Sequence, residues 1–272
     1  MVAFPNCKIN LGLNILQKRE DGYHNIETAF FPLPLCDVLE IVTAKNSTQF
    51  TNTGISGGEI ETNLCLKAYR VLKKDFPQLP EIEMHLHKTI PVGAGLGGGS
   101  ADAAFTLSLL NKKYELNIPD SNLFDYASQL GSDCPFFLLN KPCLASGRGE
   151  KMKKIVLSLS AYKILIVNPG IHVNTKEIFQ QIKPAIPSKK IKEIIQQPIE
   201  TWKSTLTNDF EKVVFSLHPE IKKIKENLYM HKAIYASMTG TGSTVFGIFR
   251  KEDKIDFPVE KGYFQKWIEN LD

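Results

Sequence analysis

The first clear pattern in the chain is an alternation of apolar and polar residues over positions 7–15. Apolar side chains from Cys7 to Ile15 occupy the odd positions, and Lys8 and Asn10 are among the even ones. Successive side chains of a strand point to opposite faces, so the pattern predicts a half-buried strand with Lys8 and Asn10 side by side on the non-core face. Residues 18–24 are polar and contain Asp-Gly, which predicts a turn.

Apolar residues at helical spacing predict several amphipathic helices. Between residues 63 and 76, Leu64, Ala68 and Leu72 recur every four residues, and Asn63 is placed to cap the helix. Residues 100–110 are apolar almost all round, which predicts a helix buried on most sides. Further helices are predicted at residues 121–130 and 219–231, and strands at residues 37–44, 81–87, 162–168, 233–238 and 244–249.

Strands and helices mix without a strict alternation, which favours an α+β fold in two parts. A basic, glycine-containing stretch at residues 146–154 marks the boundary between the parts. We therefore predict an N-terminal domain at residues 1–153 and a C-terminal domain at residues 154–272. Residues 183–198 are rich in Lys, Pro and Gln and are predicted to lie at the surface.

The composition is that of a globular protein. The chain has 272 residues, of which 43% are apolar and 23% charged, and this excludes a disordered or fibrous chain. The five cysteines are scattered and contain no C-x-x-C pair, which argues against a disulfide scaffold or a structural zinc site. No stretch approaches about 18 consecutive apolar residues and the N-terminus lacks a secretory pattern, so we expect a cytoplasmic protein without a membrane partner.

Charge is distributed unevenly along the chain. Residues 1–150 carry 13 basic and 16 acidic residues, whereas residues 151–272 carry 20 basic and 13 acidic ones. The excess of cations in the second part suits an anionic ligand. No run of five or six like charges is present, so nucleic acid is not the expected partner.

Glycine is concentrated in one short segment. Five of the 18 glycines fall between Gly93 and Gly99, just before the predicted helix at residues 100–110. Glycines let backbone N–H groups converge, and a helix N-terminus adds unpaired donors and the positive end of a dipole, so this loop suits phosphate. Ser100 is placed to cap the helix, to bind Mg²⁺, or to do both.

Two better-known glycine loops fit this segment poorly. The run matches G-x-G-x-x-G formally, with Asp120 downstream, but a second helix is predicted where a dinucleotide site needs a second strand. The lysine of a Walker A loop is absent.

Two other segments are candidates for the same chemistry. Residues 239–243, Thr-Gly-Thr-Gly-Ser, lie between predicted strands and form either a hairpin turn or a second loop on the same phosphates. Asp133, in a tight turn before Pro135, is either the carboxylate that works on an acceptor hydroxyl or a helix-capping residue.

Three motifs in this order resemble the GHMP superfamily of small-molecule kinases over essentially the whole chain. They are AFPNCKINL with DGYH (residues 3–11 and 21–24), PVGAGLGGGSADAA (residues 91–104) and MTGTGSTVF (residues 238–246). The resemblance implies an N-terminal domain like domain 2 of ribosomal protein S5 and a C-terminal ferredoxin-like domain. It also implies ATP and Mg²⁺ as cofactors.

The K-I-N-L, D-G-Y-H and G-S-D-C-P-F-F segments are more specific than the glycine-rich core. They imply ATP-dependent phosphorylation of the 2-hydroxyl in the methylerythritol part of a cytidine diphosphate conjugate, in the non-mevalonate route to isoprenoid precursors. The resemblance makes Asp133 the catalytic base and Lys8 its partner lysine. The residues that it assigns to the substrate are Asn10, Tyr23, His24, Thr175 and Phe179, with Tyr23 and Phe179 stacking on cytosine.

The residues that the resemblance assigns to ATP are mostly loop glycines and their neighbours. They are Asn63, Lys88, Pro91, Gly93, Gly95, Leu96, Gly97, Gly98, Gly99, Ser100, Ala101, Gly240, Thr241, Gly242 and Ser243. Ser100 is also the candidate Mg²⁺ ligand.

Three alternative functions are open on sequence grounds. One is another kinase of the superfamily, acting on mevalonate or homoserine. The others are an NAD-dependent oxidoreductase that uses the glycine run, and a nucleic-acid-binding module that uses the basic part of the chain. The expected partner is a small molecule with a cytidine diphosphate group, and the expected state is a monomer or weak homodimer.

Overall fold

The computed structural model describes residues 1–55, 62–258 and 260–271. Its strands are β1 (Val2–Ala3), β2 (Asn6–Lys18), β3 (His24–Cys36), β4 (Val38–Thr43), β5 (Gln49–Gly54), β6 (Ile82–Lys88), β7 (Cys143–Gly147), β8 (Lys151–Lys154), β9 (Tyr162–Asn168), β10 (Tyr235–Met238), β11 (Val245–Arg250) and β12 (Phe264–Ile268). Its helices are α1 (Leu64–Asp75), α2 (Gly98–Lys113), α3 (Asp120–Leu130), α4 (Cys134–Leu139), α5 (Thr175–Gln181), α6 (Ile191–Ile194), α7 (Trp202–Thr205), α8 (Phe210–Leu217) and α9 (Pro219–Met230).

The chain forms two compact units that interleave along the sequence. The first unit comprises Met1–Cys7, Leu35–Val92 and Gly97–Lys141, and the second comprises Lys8–Pro34, Gly93–Leu96 and Pro142–Asp272. The glycine run therefore passes from the second unit into the first between Leu96 and Gly97. A single boundary after residue 153 does not describe these units, because early segments group with the late part of the chain. As a division into domains, that boundary stays a prediction.

The first unit is a four-stranded sheet packed against helices. The strand order is β1-β4-β6-β5, and only the β5–β6 pair of this sheet is parallel. Alternate side chains of β4 and β6, such as Ile41 and Met84, join a buried core with α1, α2 and α3. The cap predicted for α1 is confirmed, because the Asn63 Oδ1 atom accepts a hydrogen bond of 2.8 Å from the Cys65 N–H.

Helix α2 is buried on most sides, as its apolar sequence predicts. It begins at Gly98, two residues before the predicted start, and Ala101, Ala104 and Leu107 are fully buried. Asp120 is the first residue of the next helix, α3. The second strand of a dinucleotide-binding unit is therefore missing after α2, which removes the physical basis of the NAD alternative.

The second unit contains two antiparallel sheets. Their strand orders are β2-β3-β7-β8 and β10-β11-β9-β12. The predicted strands at residues 162–168, 233–238 and 244–249 correspond to β9, β10 and β11. Leu165 and Val245 belong to a core that also includes Phe210 of α8 and Ile221 of α9. The mixture of antiparallel sheets and helices agrees with the predicted α+β class.

Two sequence-based predictions about exposure are wrong. The Lys8–Asn10 face of β2 was expected to lie away from the core, yet each of these residues is only 2% exposed. The face is covered because two glycine-containing loops of the second unit lie on it, as described below. Residues 183–198 are not all at the surface, since Ile191 and Ile194 of α6 are buried.

Strand β3 was missing from the predictions, because its sequence alternates poorly and contains two prolines. Asp133 was predicted to lie in a tight turn, and the residues that directly follow it form helix α4. Within the described residues, no helix has the length and apolar character needed to cross a membrane.

Candidate active site

Lys8 is a buried cation on strand β2 of the second unit. Its ammonium donates hydrogen bonds to the Asn10 Oδ1 atom at 2.7 Å and to the Gly95 carbonyl at 3.1 Å, and it lies 5.1 Å from the centroid of the Phe30 ring. The backbone N–H of Lys8 donates to the Leu96 carbonyl at 2.9 Å. The segment Gly93–Leu96 is therefore fixed to β2 by both the main chain and the side chain of Lys8.

Asn10 connects β2 to the second glycine-containing loop. Its Oδ1 atom accepts from the Gly240 N–H at 3.0 Å, and its Nδ2 donates to the Thr28 hydroxyl at 2.9 Å. The Thr239 hydroxyl accepts from the Asn10 N–H at 3.0 Å and lies 3.1 Å from the Gly95 carbonyl. Thr239 is the first residue of the loop predicted at residues 239–243, but the sequence analysis assigned it no contact with ATP or substrate.

The two loops of the second unit pack backbone against backbone. Gly95 has a φ of +79°, and a Cβ added there would overlap the Thr239 carbonyl. A Cβ added to Gly240 would lie 3.2 Å from the Gly95 Cα atom. The Thr244 N–H also donates to the Ala94 carbonyl at 3.3 Å. Residues 239–243 are therefore more than a hairpin turn, because their backbone is fitted to that of the glycine run.

Ser243 and Thr241 of the second loop have different hydrogen-bond partners. The buried Ser243 hydroxyl donates to the Ile171 carbonyl at 2.6 Å and accepts from the Asn168 Nδ2 atom at 3.2 Å, so it holds the loop internally. The Thr241 and Thr175 hydroxyls are 3.0 Å apart. Thr175 is thus brought to the second loop, at the start of α5 and directly after the capping residue Asn174.

Tyr23 stands on a turn that is held by charged residues. The Arg19 guanidinium and the Asp21 carboxylate form a salt bridge of 2.8 Å, and Asp21 accepts from the Tyr23 N–H at 3.1 Å. The Tyr23 side chain is 54% exposed, and the Arg148 guanidinium lies 4.8 Å from its ring centroid. Sequence reasoning missed Arg148, which the β7–β8 hairpin brings to this turn from more than 100 residues away.

His24 and Phe179 form a stacked pair in the second unit. Their ring centroids are 5.1 Å apart with an interplanar angle of 24°, and Phe179 also meets Phe210 edge-on at 4.9 Å. Burial, together with the nearby charge of Lys18, lowers the pKa of His24. The imidazole is therefore neutral at pH 7, so one ring nitrogen donates and the other accepts a hydrogen bond.

The first unit supplies the N-terminus of helix α2. Gly97 precedes the helix with a φ of +73° and makes no side-chain cap. Ser100 is the third helical residue, so its predicted role as the N-cap is wrong. The first amides of a helix have no partner within it, and they carry the positive end of the dipole. This 16-residue helix therefore presents Gly98, Gly99 and Ser100 as potential donors to an anion.

Asp133 directly precedes helix α4, which packs against α2 within the first unit. The next residue, Cys134, interacts with the Ser100 side chain at the start of α2. Burial raises the pKa of Cys134 to about 12, so this thiol stays protonated. Asp133 occupies the N-cap position of α4, as the capping alternative predicts, but its side chain makes no capping hydrogen bond there.

Lys88 lies in the interior of the first unit. Its ammonium forms ion pairs with Asp37 and with Asp102, the latter at 2.7 Å. Burial raises the pKa of Asp102, although the nearby Lys88 ammonium acts in the opposite direction. A direct contact between Lys88 and a nucleotide stays a prediction.

The other residues predicted to bind ATP lie in the segments already described. Pro91, Leu96 and Ala101 are buried, whereas Gly93 and Gly99 are exposed. In the described part of the chain, no group of three or more His, Cys, Asp or Glu side chains is placed to hold a metal ion.

The chain is similar to known kinases over almost its whole length. The family model for the GHMP kinases N terminal domain matches residues 63–141, and the model for the GHMP kinases C terminal matches residues 190–258. A Bacteroides fragilis protein named 4-diphosphocytidyl-2-C-methyl-D-erythritol kinase is 52% identical over 259 residues, which is 94% of each chain. The chain belongs to the GHMP kinases. A Bacteroides thetaiotaomicron protein of the same name is 50% identical over 256 residues, 93% of each chain.

This GHMP kinase is also similar to solved structures. A crystal structure of 4-(cytidine 5'-diphospho)-2C-methyl-D-erythritol kinase superposes with a TM-score of 0.78 at 32% identity, and the match covers 91% of this chain and 89% of the other. The mevalonate kinase of Methanococcus jannaschii gives a TM-score of 0.70 at 14% identity, covering 98% of both chains, which supports the fold alone. The predicted GHMP kinase fold is confirmed, and membership in this family implies ATP as a substrate.

The packing of Gly95 on Thr239 leads to a stability prediction. Gly95→Ala adds a methyl group in a left-handed conformation and against a carbonyl, whereas Gly170→Ala, at a φ of +73°, meets nothing within 4 Å. We expect Gly170→Ala to cost about 1–2 kcal/mol of unfolding free energy from backbone strain alone. Gly95→Ala should cost about 1–3 kcal/mol more from overpacking. Urea titration of both variants measures the difference, and equal losses would contradict the packing argument.

Proposed function

We propose that this kinase transfers the γ-phosphate of ATP to the 2-hydroxyl of 4-diphosphocytidyl-2-C-methyl-D-erythritol, a step of the non-mevalonate route to isoprenoid precursors. The observation that carries the proposal is that Asp133 directly precedes helix α4, which packs against α2 within the first unit, with Cys134 interacting with Ser100 at the start of α2. A carboxylate can accept the proton of a hydroxyl, and unpaired helix amides can bind phosphate oxygens. The two groups together therefore suit phosphoryl transfer to a hydroxyl. The activity named for the relatives of about 50% identity supports the choice of substrate.

Phosphoryl transfer depends mostly on positioning and charge stabilisation, and the chain supplies groups for both. The amides at the start of α2 bind phosphate oxygens. Asp133 orients the acceptor hydroxyl and accepts its proton as the new oxygen–phosphorus bond forms and the bond to the β-phosphate oxygen of ATP breaks, which releases ADP. Lys8, whose ammonium is already oriented by Asn10 and Gly95, supplies positive charge that stabilises the transferred group.

The second unit carries a group of side chains suited to a cytidine. Tyr23 offers an exposed ring, and the stacked pair of His24 and Phe179 offers a second aromatic surface with a neutral imidazole. Base stacking on an aromatic side chain contributes about 1–3 kcal/mol, and a neutral imidazole can both donate to and accept from a base edge. Asn10 and Thr175 are the proposed polar contacts to the rest of the substrate.

Mg²⁺ enters as the ion bound to ATP, and Ser100 is the proposed protein ligand. Hydroxyl, carboxylate and phosphate oxygens are the ligands that Mg²⁺ prefers, and Ser100 lies next to the proposed phosphate cradle. The ion would neutralise charge on the phosphates. The remaining proposals are a cytoplasmic location, a small-molecule partner without nucleic acid, and a monomer or weak homodimer.

A coupled assay of ADP release tests the substrate. We expect turnover with 4-diphosphocytidyl-2-C-methyl-D-erythritol and none above background with mevalonate or homoserine, because neither of the latter carries a base for Tyr23 and Phe179. CMP should also raise the melting temperature of the protein at millimolar concentration. Turnover of mevalonate or homoserine, or absence of a shift with CMP, would reject this substrate assignment.

Asp133→Asn tests the base. We expect kcat to fall by about 10²–10⁴-fold, because an amide cannot accept the hydroxyl proton. Calorimetric binding of ATP should be retained. Asp125→Asn on the exposed surface of α3 is the matched control and should turn over normally. Near-normal turnover by Asp133→Asn would assign that carboxylate a structural role.

Phe179→Ala tests the stacking surface. Loss of one stacked ring should raise KM for the cytidine substrate about 5-fold to 150-fold, the equivalent of about 1–3 kcal/mol. KM for ATP should not change, which separates a local loss from general damage. Phe179→Tyr keeps a ring and should restore most of the affinity. An unchanged KM in Phe179→Ala would show that residues other than Phe179 stack on the base.

A further inference from the structure

A buried cluster of three ionisable side chains lies inside the first unit, and the proposed mechanism does not use it. The side chains of Lys88, Asp37 and Asp102 are 3%, 0% and 4% exposed. They come from three elements: Lys88 ends strand β6, Asp37 directly precedes strand β4, and Asp102 is the fifth residue of α2. One ammonium therefore joins the sheet to the helix whose N-terminus is the proposed phosphate cradle.

The sheet side of the cluster is completely hydrogen-bonded. The Asp37 Oδ1 atom accepts from the Thr89 N–H at 2.6 Å and from the Ile90 N–H at 2.9 Å, while Oδ2 accepts from Lys88. These bonds fix the backbone that follows β6. The Lys88 ammonium is thus held at a defined position, with two of its three N–H groups directed at carboxylates.

On the helix side, Asp102 is hydrogen-bonded to Lys88 through one of its two carboxylate oxygens. The Asp102 Oδ2 atom accepts from Lys88 at 2.7 Å, whereas Oδ1 has no hydrogen-bond partner among the residues that the structure describes. A buried carboxylate oxygen without a partner is costly, and an apolar residue would avoid that cost. Stability alone therefore does not account for an aspartate at position 102. The contribution of Asp102 to α2 is its hydrogen bond to Lys88.

The start of α2 lies directly on this cluster. A Cβ added to Gly98, the first residue of the helix, would lie 2.9 Å from the Ile90 Cγ2 atom and 3.3 Å from the Lys88 Nζ atom. A side chain at position 98 would therefore require Ile90 to shift and would lie in tight contact with the Lys88 ammonium. Contacts with Lys88 and Ile90 therefore determine the position of the first turn of α2 and of its unpaired amides.

We propose that Asp102 and Lys88 are positioning residues for the phosphate cradle: their hydrogen bond holds the first turns of α2 in register with the sheet. In this role Lys88 acts on ATP through the helix. The proposal rests on the proposed binding of ATP phosphates at this helix end. Loss of the bond leaves the Lys88–Asp37 pair and the sheet intact, and it releases only the helix.

Asp102→Ala and Asp102→Asn test the hydrogen bond. Alanine removes the acceptor, and KM for ATP should rise about 10-fold to 100-fold, as expected for a lost hydrogen bond to a charged group. KM for the acceptor substrate should not change. Asparagine keeps an oxygen for Lys88, so KM for ATP should return to within about threefold of the wild type. An equal rise in both variants, or a rise in neither, would overturn the proposal.

Thr106→Val is the matched control on the same helix. The Thr106 hydroxyl is fully buried and donates to the Asp102 carbonyl at 2.7 Å, but it lies outside the ion cluster. This variant should lower the melting temperature without changing KM for ATP. If Thr106→Val raises KM for ATP as much as Asp102→Ala does, then any substitution in α2 weakens ATP binding. In that case the ion cluster has no specific role in positioning the phosphate cradle.

The affinities for ATP, ADP, AMP and adenosine, measured by calorimetry, distinguish a role in positioning the phosphate cradle from a purely structural role. Asp102→Ala should weaken ATP and ADP by the same factor as KM and leave adenosine unchanged, because only the phosphates contact the helix end. Equal weakening of adenosine would overturn the proposal. If wild-type protein binds none of the four ligands, the proposed function fails instead. Should Asp102→Ala fail to fold, Gly98→Ala displaces the same turn and is subject to the same outcomes.

Discussion

The side-chain amide of Asn10 is the contact on which the candidate site of the second unit depends. Its oxygen accepts from the Lys8 ammonium and from the Gly240 N–H, and its nitrogen donates to Thr28. An amide can donate and accept at once, so one side chain joins two strands, a cation and a loop. Neither an apolar residue nor a carboxylate at position 10 reproduces this set of bonds. The buried polar face of β2 is stable because its groups satisfy one another.

Close backbone approach is the second constraint, and glycine makes it possible in both units. In the second unit, Gly95 lies on the Thr239 carbonyl, and in the first unit Gly98 lies on Ile90 and the Lys88 ammonium. Each contact fixes one part of the glycine run against a rigid partner. The run is therefore an ordered structure whose amides have defined directions. A flexible linker of the same composition would have to lose conformational entropy before it bound phosphate.

Local patterns predicted the elements that depend on local physics. The four-residue spacing and the cap at Asn63 predicted α1, and the apolar run predicted a largely buried α2. The strand predicted at residues 162–168 is β9. The predictions of solvent exposure were wrong where a segment distant in sequence covers the residue. Lys8 and Asn10 alternate with apolar residues as a solvent-facing row would, and nothing near them in sequence indicates the loops that cover them.

By itself, the sequence determined the family, the strand that carries Lys8 and Asn10, the glycine-rich entry to α2, and Asp133 as the candidate base. These follow from short motifs and from the periodicity of single elements. Only the tertiary structure decided that Lys88 is enclosed by Asp37 and Asp102, that Arg148 faces Tyr23, and that Thr239 reaches Asn10. The physical reason is that burial and hydrogen-bond partners are set by segments far apart in the chain, whose meeting no local pattern encodes.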